Sequence, residues 1–303
     1  MSRFTDNAGK LRPIWAFVFS FILSGLAFLV SSNIAHEISP EHPFRVELIF
    51  RPLWVLLLLG IFIWLLTVGD HIEEHRIAAQ GLPRTKGWFR QFLLGWVLGF
   101  VLTFLAVVPI HFWGRFRTHD LMTLRLLPNL AVLLFTLLCG ALAEELVFRG
   151  YPFQHLEQGI GTPWTVLLTS VLYAVLHLLN PGSGRWAVAN SFLLGVLFCI
   201  AYLRTRALWL PWGIHFAWNG TLALLFGLPV SGFRSYNLTR YTEAYGPKWL
   251  TGGRYGVEAS AAGTVVILVA ILVLWKLPLR KLPQPTPPRT EPALHDSLSG
   301  IQS

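Results

Sequence analysis

Residues 128–149 read PNLAVLLFTLLCGALAEELVFR, an apolar run that ends on two adjacent carboxylates, Glu144 and Glu145, and on Arg149. A run of this length matches the ~20 helical residues needed to cross a hydrocarbon core of ~30 Å. Within lipid the backbone must satisfy its own polar groups, which leaves only helices and closed barrels, and barrel strands are much shorter than this run. Seven further blocks of the same kind occupy about 13–34, 52–69, 91–112, 163–180, 187–203, 208–226 and 257–275. The expected fold is therefore all-α, a polytopic transmembrane helical bundle of about eight spans.

Composition agrees. Of 303 residues, 54% are hydrophobic and 13% charged, against roughly a quarter charged in soluble domains. A net charge of +9 would suit a nucleic-acid binder, but Lys and Arg fall between the apolar blocks and build no basic stripe, so headgroup anchoring explains them. Arg3, Lys10 and Arg12 precede the apolar segment from Ile14 to Val30, which is longer than a signal-peptide core and is expected to stay as a first span. The Lys and Arg bias places both termini in the cytoplasm, and a bacterial plasma membrane is the expected location. Cys139 and Cys199 lie in apolar runs with no CxxC spacing and read as packing residues.

Four regions follow. Residues 1–127 hold about three N-terminal spans, 128–226 the segment that carries chemistry, 227–276 a loop and the last span, and 277–303 a Pro-rich tail expected to be disordered. The loop 227–256 reads as a plain solvent loop. No internal repeat supports a transporter built on inverted repeats.

A charge at membrane depth costs about 2.5 to 3.5 kcal/mol and so needs a partner or a task. Glu145 and Arg149 are four apart on a helix, acid first, the favourable order for an ion pair. Glu144 points about 100° away and keeps its carboxylate for something else. Further along, Tyr173 and His177 share a helix face at the same spacing, as do His215 and Asn219. Together the three segments supply a carboxylate, two imidazoles and an amide: a buried Glu suits a general base, imidazoles hold a metal or a water, and an amide NH₂ donates to an oxyanion.

In order, EExxxR, aromatic-xxx-His and HxxxN resemble the CPBP family of membrane proteins, which comprises CAAX-type prenyl endopeptidases and bacteriocin-processing or immunity proteins and is also called the Abi family. The resemblance covers roughly residues 128–226. It implies an intramembrane endopeptidase in which Glu144 activates the attacking water, supported by Glu145 and Arg149. His177 would complete the water or metal site, and His215 with Asn219 would bind a metal or stabilise the oxyanion. It further implies either a divalent metal such as zinc on Glu144, His177 and His215, or a metal-free glutamate mechanism, with a membrane-associated protein or peptide as substrate. Tyr173 stands where the family usually has Phe, and its hydroxyl needs a partner. The rival expectation is a non-catalytic immunity or scaffold protein that keeps these residues as a buried polar network.

Two other patterns carry less. His71-Ile72-Glu73-Glu74-His75 fits an inverted zincin motif but follows the second block directly, beside Asp70 and Arg76, as a charged juxtamembrane segment does. The sequons at Asn219 and Asn237 read as chance matches.

Overall fold

The structure is a computed structural model that describes residues 12–41, 43–69, 80–120, 127–234 and 240–281. The His71–His75 motif, the Asn237 sequon and residues 282–303 of the tail lie outside these.

All eight apolar blocks form helices. They are α1 (Pro13–Ile38), α2 (Pro43–Gly69), α3 (Trp88–Trp113), α4 (Leu127–Arg149), α6 (Thr162–His177), α7 (Arg185–Thr205), α8 (Trp209–Gly220) and α10 (Ala261–Lys276). A short helix α5 (Tyr151–Ile160) follows α4 after Gly150, and α9 (Lys248–Thr251) is a single turn. Five helical stretches, at 13–38, 45–65, 88–113, 130–160 and 185–205, are long and apolar enough to cross a membrane, while α6 and α10 are apolar but shorter. This is an all-α membrane bundle. Of the eight expected spans, α6 and α10 are thus shorter than the ~20 residues of a full crossing, while α8 runs on past Gly220 as a π-helical segment, Thr221–Phe226.

Three boundaries differ from the sequence expectation. Helix α2 begins nine positions earlier than expected and carries Pro52 inside it. Its extra turns place Glu47 and Arg51 four apart, with Arg51 Nε donating to Glu47 Oε2 at 2.8 Å. The loop 227–256 is not a plain solvent loop: Leu228, Val230, Thr242 and Leu250 are buried. It also contains β2 (Arg240–Tyr245), which pairs antiparallel with β1 (Arg115–Asp120) from Arg115↔Tyr245 to Asp120↔Arg240. The tail, finally, starts ordered. Arg204 donates to the Leu277 carbonyl at 2.6 Å and the Gln91 amide to that of Arg280 at 2.9 Å.

The tightest helix contact joins α3 and α8, which run parallel. A Cβ at Gly95 would lie 2.3 Å from the Leu210 carbonyl oxygen, one at Gly99 2.3 Å from that of Ile214, and one at Gly213 2.3 Å from that of Phe92. Gly95-xxx-Gly99 is thus a small-xxx-small contact, which lets backbones approach where lipid offers no hydrophobic drive between helices. On its other side α8 is braced to α4 by the Trp212 indole, which donates to the Leu138 carbonyl at 2.9 Å. These contacts set the height at which His215 meets the end of α4.

Candidate active site

Glu144 and Glu145 lie in the last turn and a half of α4, and one helical step separates their surroundings as expected. Glu145 and Arg149 are both fully buried, with Arg149 Nη1 3.5 Å from Glu145 Oε1. Arg149 Nη2 donates to the Gly195 carbonyl on α7 at 3.0 Å. The guanidinium also sits over three rings, 5.5 Å from Phe148, 5.0 Å from Tyr173 and 5.2 Å from Phe198, contacts that suit a weakly hydrated cation.

Glu144 is less enclosed, with 20% of its side chain exposed. Tyr173 reaches it from α6, and the phenol donates to Glu144 Oε2 at 3.3 Å. That is the partner the hydroxyl required. From α2, Arg51 Nη1 stands 3.7 Å from Glu144 Oε1. Its side chain crosses α4 at Gly140, where a Cβ would come within 3.2 Å of Arg51 Cδ, so the missing side chain one turn before Glu144 makes the passage.

His215 joins the two acids. Its Nδ1 is 2.9 Å from Glu145 Oε1 and its Nε2 3.7 Å from Glu144 Oε2. The ring stacks on Phe198 at 4.9 Å and is buried. His177 is half-buried, its Nδ1 2.8 Å from the Tyr173 carbonyl and its ring 4.2 Å from the Tyr173 ring. A carbonyl or carboxylate oxygen only accepts, so both Nδ1 atoms carry the proton and both Nε2 atoms keep a lone pair in the neutral ring. The contacts of His177 run through Tyr173, which itself touches Glu144. Asn219 is half-buried one turn beyond His215, and its amide makes no hydrogen bond to the described residues.

Sequence reasoning missed two charged groups. Arg51 lies in the part of α2 taken for a loop. Glu258, in the 3₁₀ turn Val257–Ala259 before α10, is buried beside α8: the Trp218 indole donates to its Oε1 at 3.0 Å. Burial pushes its carboxyl up to about 7.

Among the described residues no group of three His, Cys, Asp or Glu side chains is placed to hold a metal ion. Each imidazole is fixed through Nδ1 and offers Nε2, as histidine ligands oriented by outer oxygens do, but the side chains are not gathered into a three-ligand set.

A helical membrane bundle with a carboxylate–imidazole cluster inside it defines an integral membrane protein with a polar site among its helices. Residues 126–221 match the family model described as Type II CAAX prenyl endopeptidase Rce1-like, consistent with the CPBP family. That is a protease family, and the matched segment contains Glu144, Glu145, Arg149, His177, His215 and Asn219, while Arg51 and Glu258 fall outside it. No curated protein and no solved structure matches the chain.

Proposed function

We propose that the protein is an intramembrane endopeptidase that hydrolyses a peptide bond of a membrane-associated protein or peptide, with Glu144 as the base that activates water. The observation that carries this reading is the unequal standing of the two acids. Glu145 is spent on Arg149 and His215, whereas Glu144 is the partly open carboxylate, flanked by a phenol and by an imidazole Nε2.

In the proposed step, water bound to Glu144 Oε2 loses a proton to that carboxylate as its oxygen attacks the peptide carbonyl carbon. His215 Nε2, 3.7 Å from the same oxygen, is within reach to align the water. The carbonyl oxygen becomes an oxyanion, for which the Asn219 amide supplies a donor. Glu144 then gives its proton to the leaving nitrogen and the C–N bond breaks, so the products are a carboxylic acid and an amine, and the acid's proton then passes to the amine or to solvent. Tyr173 and Arg51 hold the Glu144 carboxylate in place throughout. His177 Nε2, fixed through the Tyr173 carbonyl, completes the set. A divalent metal such as zinc on His177, His215 and Glu144 would require these side chains to move together, since the described residues do not gather three ligands.

One observation favours the rival reading of a non-catalytic immunity or scaffold protein: Glu144 too has a cationic neighbour, Arg51, so both acids are ion-paired. Comparison of membrane peptides from cells carrying the protein and cells carrying Glu144→Gln tests the two. Peptides that depend on Glu144 support the protease, and identical peptide sets support the scaffold.

A further inference from the structure

Glu258 has no role in the chemistry above, yet it is one of the most densely bonded side chains in the molecule. Besides the Trp218 indole, its Oε1 accepts from the Ser231 hydroxyl at 3.3 Å, and its Oε2 accepts the Ser231 backbone N–H. Its own backbone is pinned as well. The Asn190 amide donates to the Glu258 carbonyl at 2.7 Å and to that of Ser260 at 2.9 Å, and the Thr264 hydroxyl donates to Asn190 Oδ1 at 2.7 Å. A buried carboxyl is tolerated only with such a set of donors.

Ser231 is the first residue at the tip of a tight turn. Val230 and Phe233 exchange N–H···O bonds, both 2.9 Å, across Ser231 with φ +47° and Gly232 with φ +88°. Positive φ at both central positions is the two-residue hairpin turn that normally takes Asn-Gly, and a Ser held there stores strain of order 1 kcal/mol. Glu258 is what holds it. Gly232 donates to the Tyr255 carbonyl at 2.9 Å, and a Cβ on it would lie 2.1 Å from the Pro181 carbonyl oxygen. The tip is therefore wedged against the chain that leaves α6 four residues after His177. Through Trp218, Glu258 also holds α8 three residues after His215.

We propose that Glu258 is a positioning residue for the catalytic site: through the Val230–Phe233 turn on one side and Trp218 on the other, it fixes the spacing between the two histidine-bearing elements. The inference rests on the protease reading for its effect on catalysis, while the mechanical link stands on its own. It also adds a residue that lies outside the matched segment and in no recognised motif.

The test is made on the full chain in detergent micelles. Glu258→Gln keeps one accepting oxygen but sets an NH₂ against the Ser231 N–H, so donor faces donor. Hydrogen exchange should then quicken in residues 178–184 and in 209–220. With the membrane peptide found in the Glu144→Gln comparison as substrate, kcat should fall at least roughly tenfold with KM within about twofold, the size seen when outer partners of a site are lost. Where Glu258→Gln does not fold, Trp218→Phe cuts one arm alone and should quicken exchange in 209–220 and lower kcat in the same way. Exchange altered only in 230–233 and 257–260, or wild-type kcat in a folded variant, overturns the inference. If the wild type cleaves nothing, the protease reading falls, and the exchange data alone decide whether Glu258 couples the two elements.

Discussion

The imidazole of His215 donates from Nδ1 to Oε1 of the fully buried Glu145, 2.9 Å away across 70 positions of sequence. The same carboxylate oxygen faces Arg149, so one buried acid serves as counter-ion to a guanidinium and as anchor for a ring. Fixing Nδ1 as the donor leaves Nε2 as the acceptor, turned towards Glu144. The adjacent glutamates thus divide the work, one orienting the imidazole and the other left partly open.

Glu145 substitutions should separate these two duties. Glu145→Gln keeps an oxygen for His215 but leaves Arg149 without its counter-ion, and breaking a buried pair typically costs about 3 to 5 kcal/mol. Its main effect should be a lower unfolding midpoint. Glu145→Gln/Arg149→Gln should recover only part of that, because the bond to the Gly195 carbonyl and the three ring contacts go as well. Glu145→Leu should in addition release the His215 tautomer and lower cleavage by about 10- to 100-fold. Thermal unfolding in detergent and a cleavage assay on the same samples measure both. Equal cleavage by the Gln and Leu variants would show that the His215 anchor does nothing.

The α3–α8 contact should be intolerant of side chains. Gly99→Val would force a methyl-bearing carbon onto the Ile214 carbonyl, next to His215, and overpacking of this kind costs about 1 to 3 kcal/mol. We expect a lower unfolding midpoint together with reduced cleavage. Gly60→Ala is the control, since nothing lies within 4 Å of its Cβ position, and it should change neither.

The Glu258 carboxyl, pushed up to about 7 from an ordinary 4.5, should give stability a pH slope. Below about pH 4.5 the group is protonated in folded and unfolded chains alike and contributes nothing. Between pH 4.5 and 7 the unfolded chain releases the proton while the folded one retains it, so stability falls as pH rises, by about 3 kcal/mol in all, and levels off above pH 7. Glu258→Gln should flatten that slope when unfolding is followed from pH 4 to 8. An unchanged slope would mean that the carboxyl is ionised in the fold across this range.

Much of this architecture was legible because a spanning helix needs a long apolar run, and eight such runs stand out in the chain. The motif residues were legible for the same reason: Glu144, His215 and Asn219 are costly exceptions inside apolar helices. What escaped depended on contacts distant in sequence. Strand β1, RFRTHD, lacks the alternation of a half-buried strand and forms by pairing with β2 about 125 positions later. The block expected at 52–69 opened just after Arg51, so the earlier helical turns that carry it, with Arg45, Glu47 and Arg51 among them, did not stand out as an apolar run. Glu258 stands at the very start of the block expected at 257–275, where an acid near a helix beginning is ordinary, and only the fold shows that Trp218 and Ser231 enclose it. The short helix α5 belongs to no apolar block, since Gln154, His155, Glu157 and Gln158 make it half polar, although Pro152 fits the first turn of a helix.

The most direct test of Glu144 as the base is Glu144→Gln, which keeps the shape of the side chain and an oxygen for Tyr173 but removes the proton acceptor. Membrane peptides from matched cells would be quantified by mass spectrometry, with the unfolding midpoint of each purified protein measured in parallel. We predict a folded protein with a midpoint close to wild type and with product peptides reduced by about 10²- to 10⁴-fold, the range ascribed to a general base. Product levels equal to wild type in folded Glu144→Gln protein would contradict the assignment.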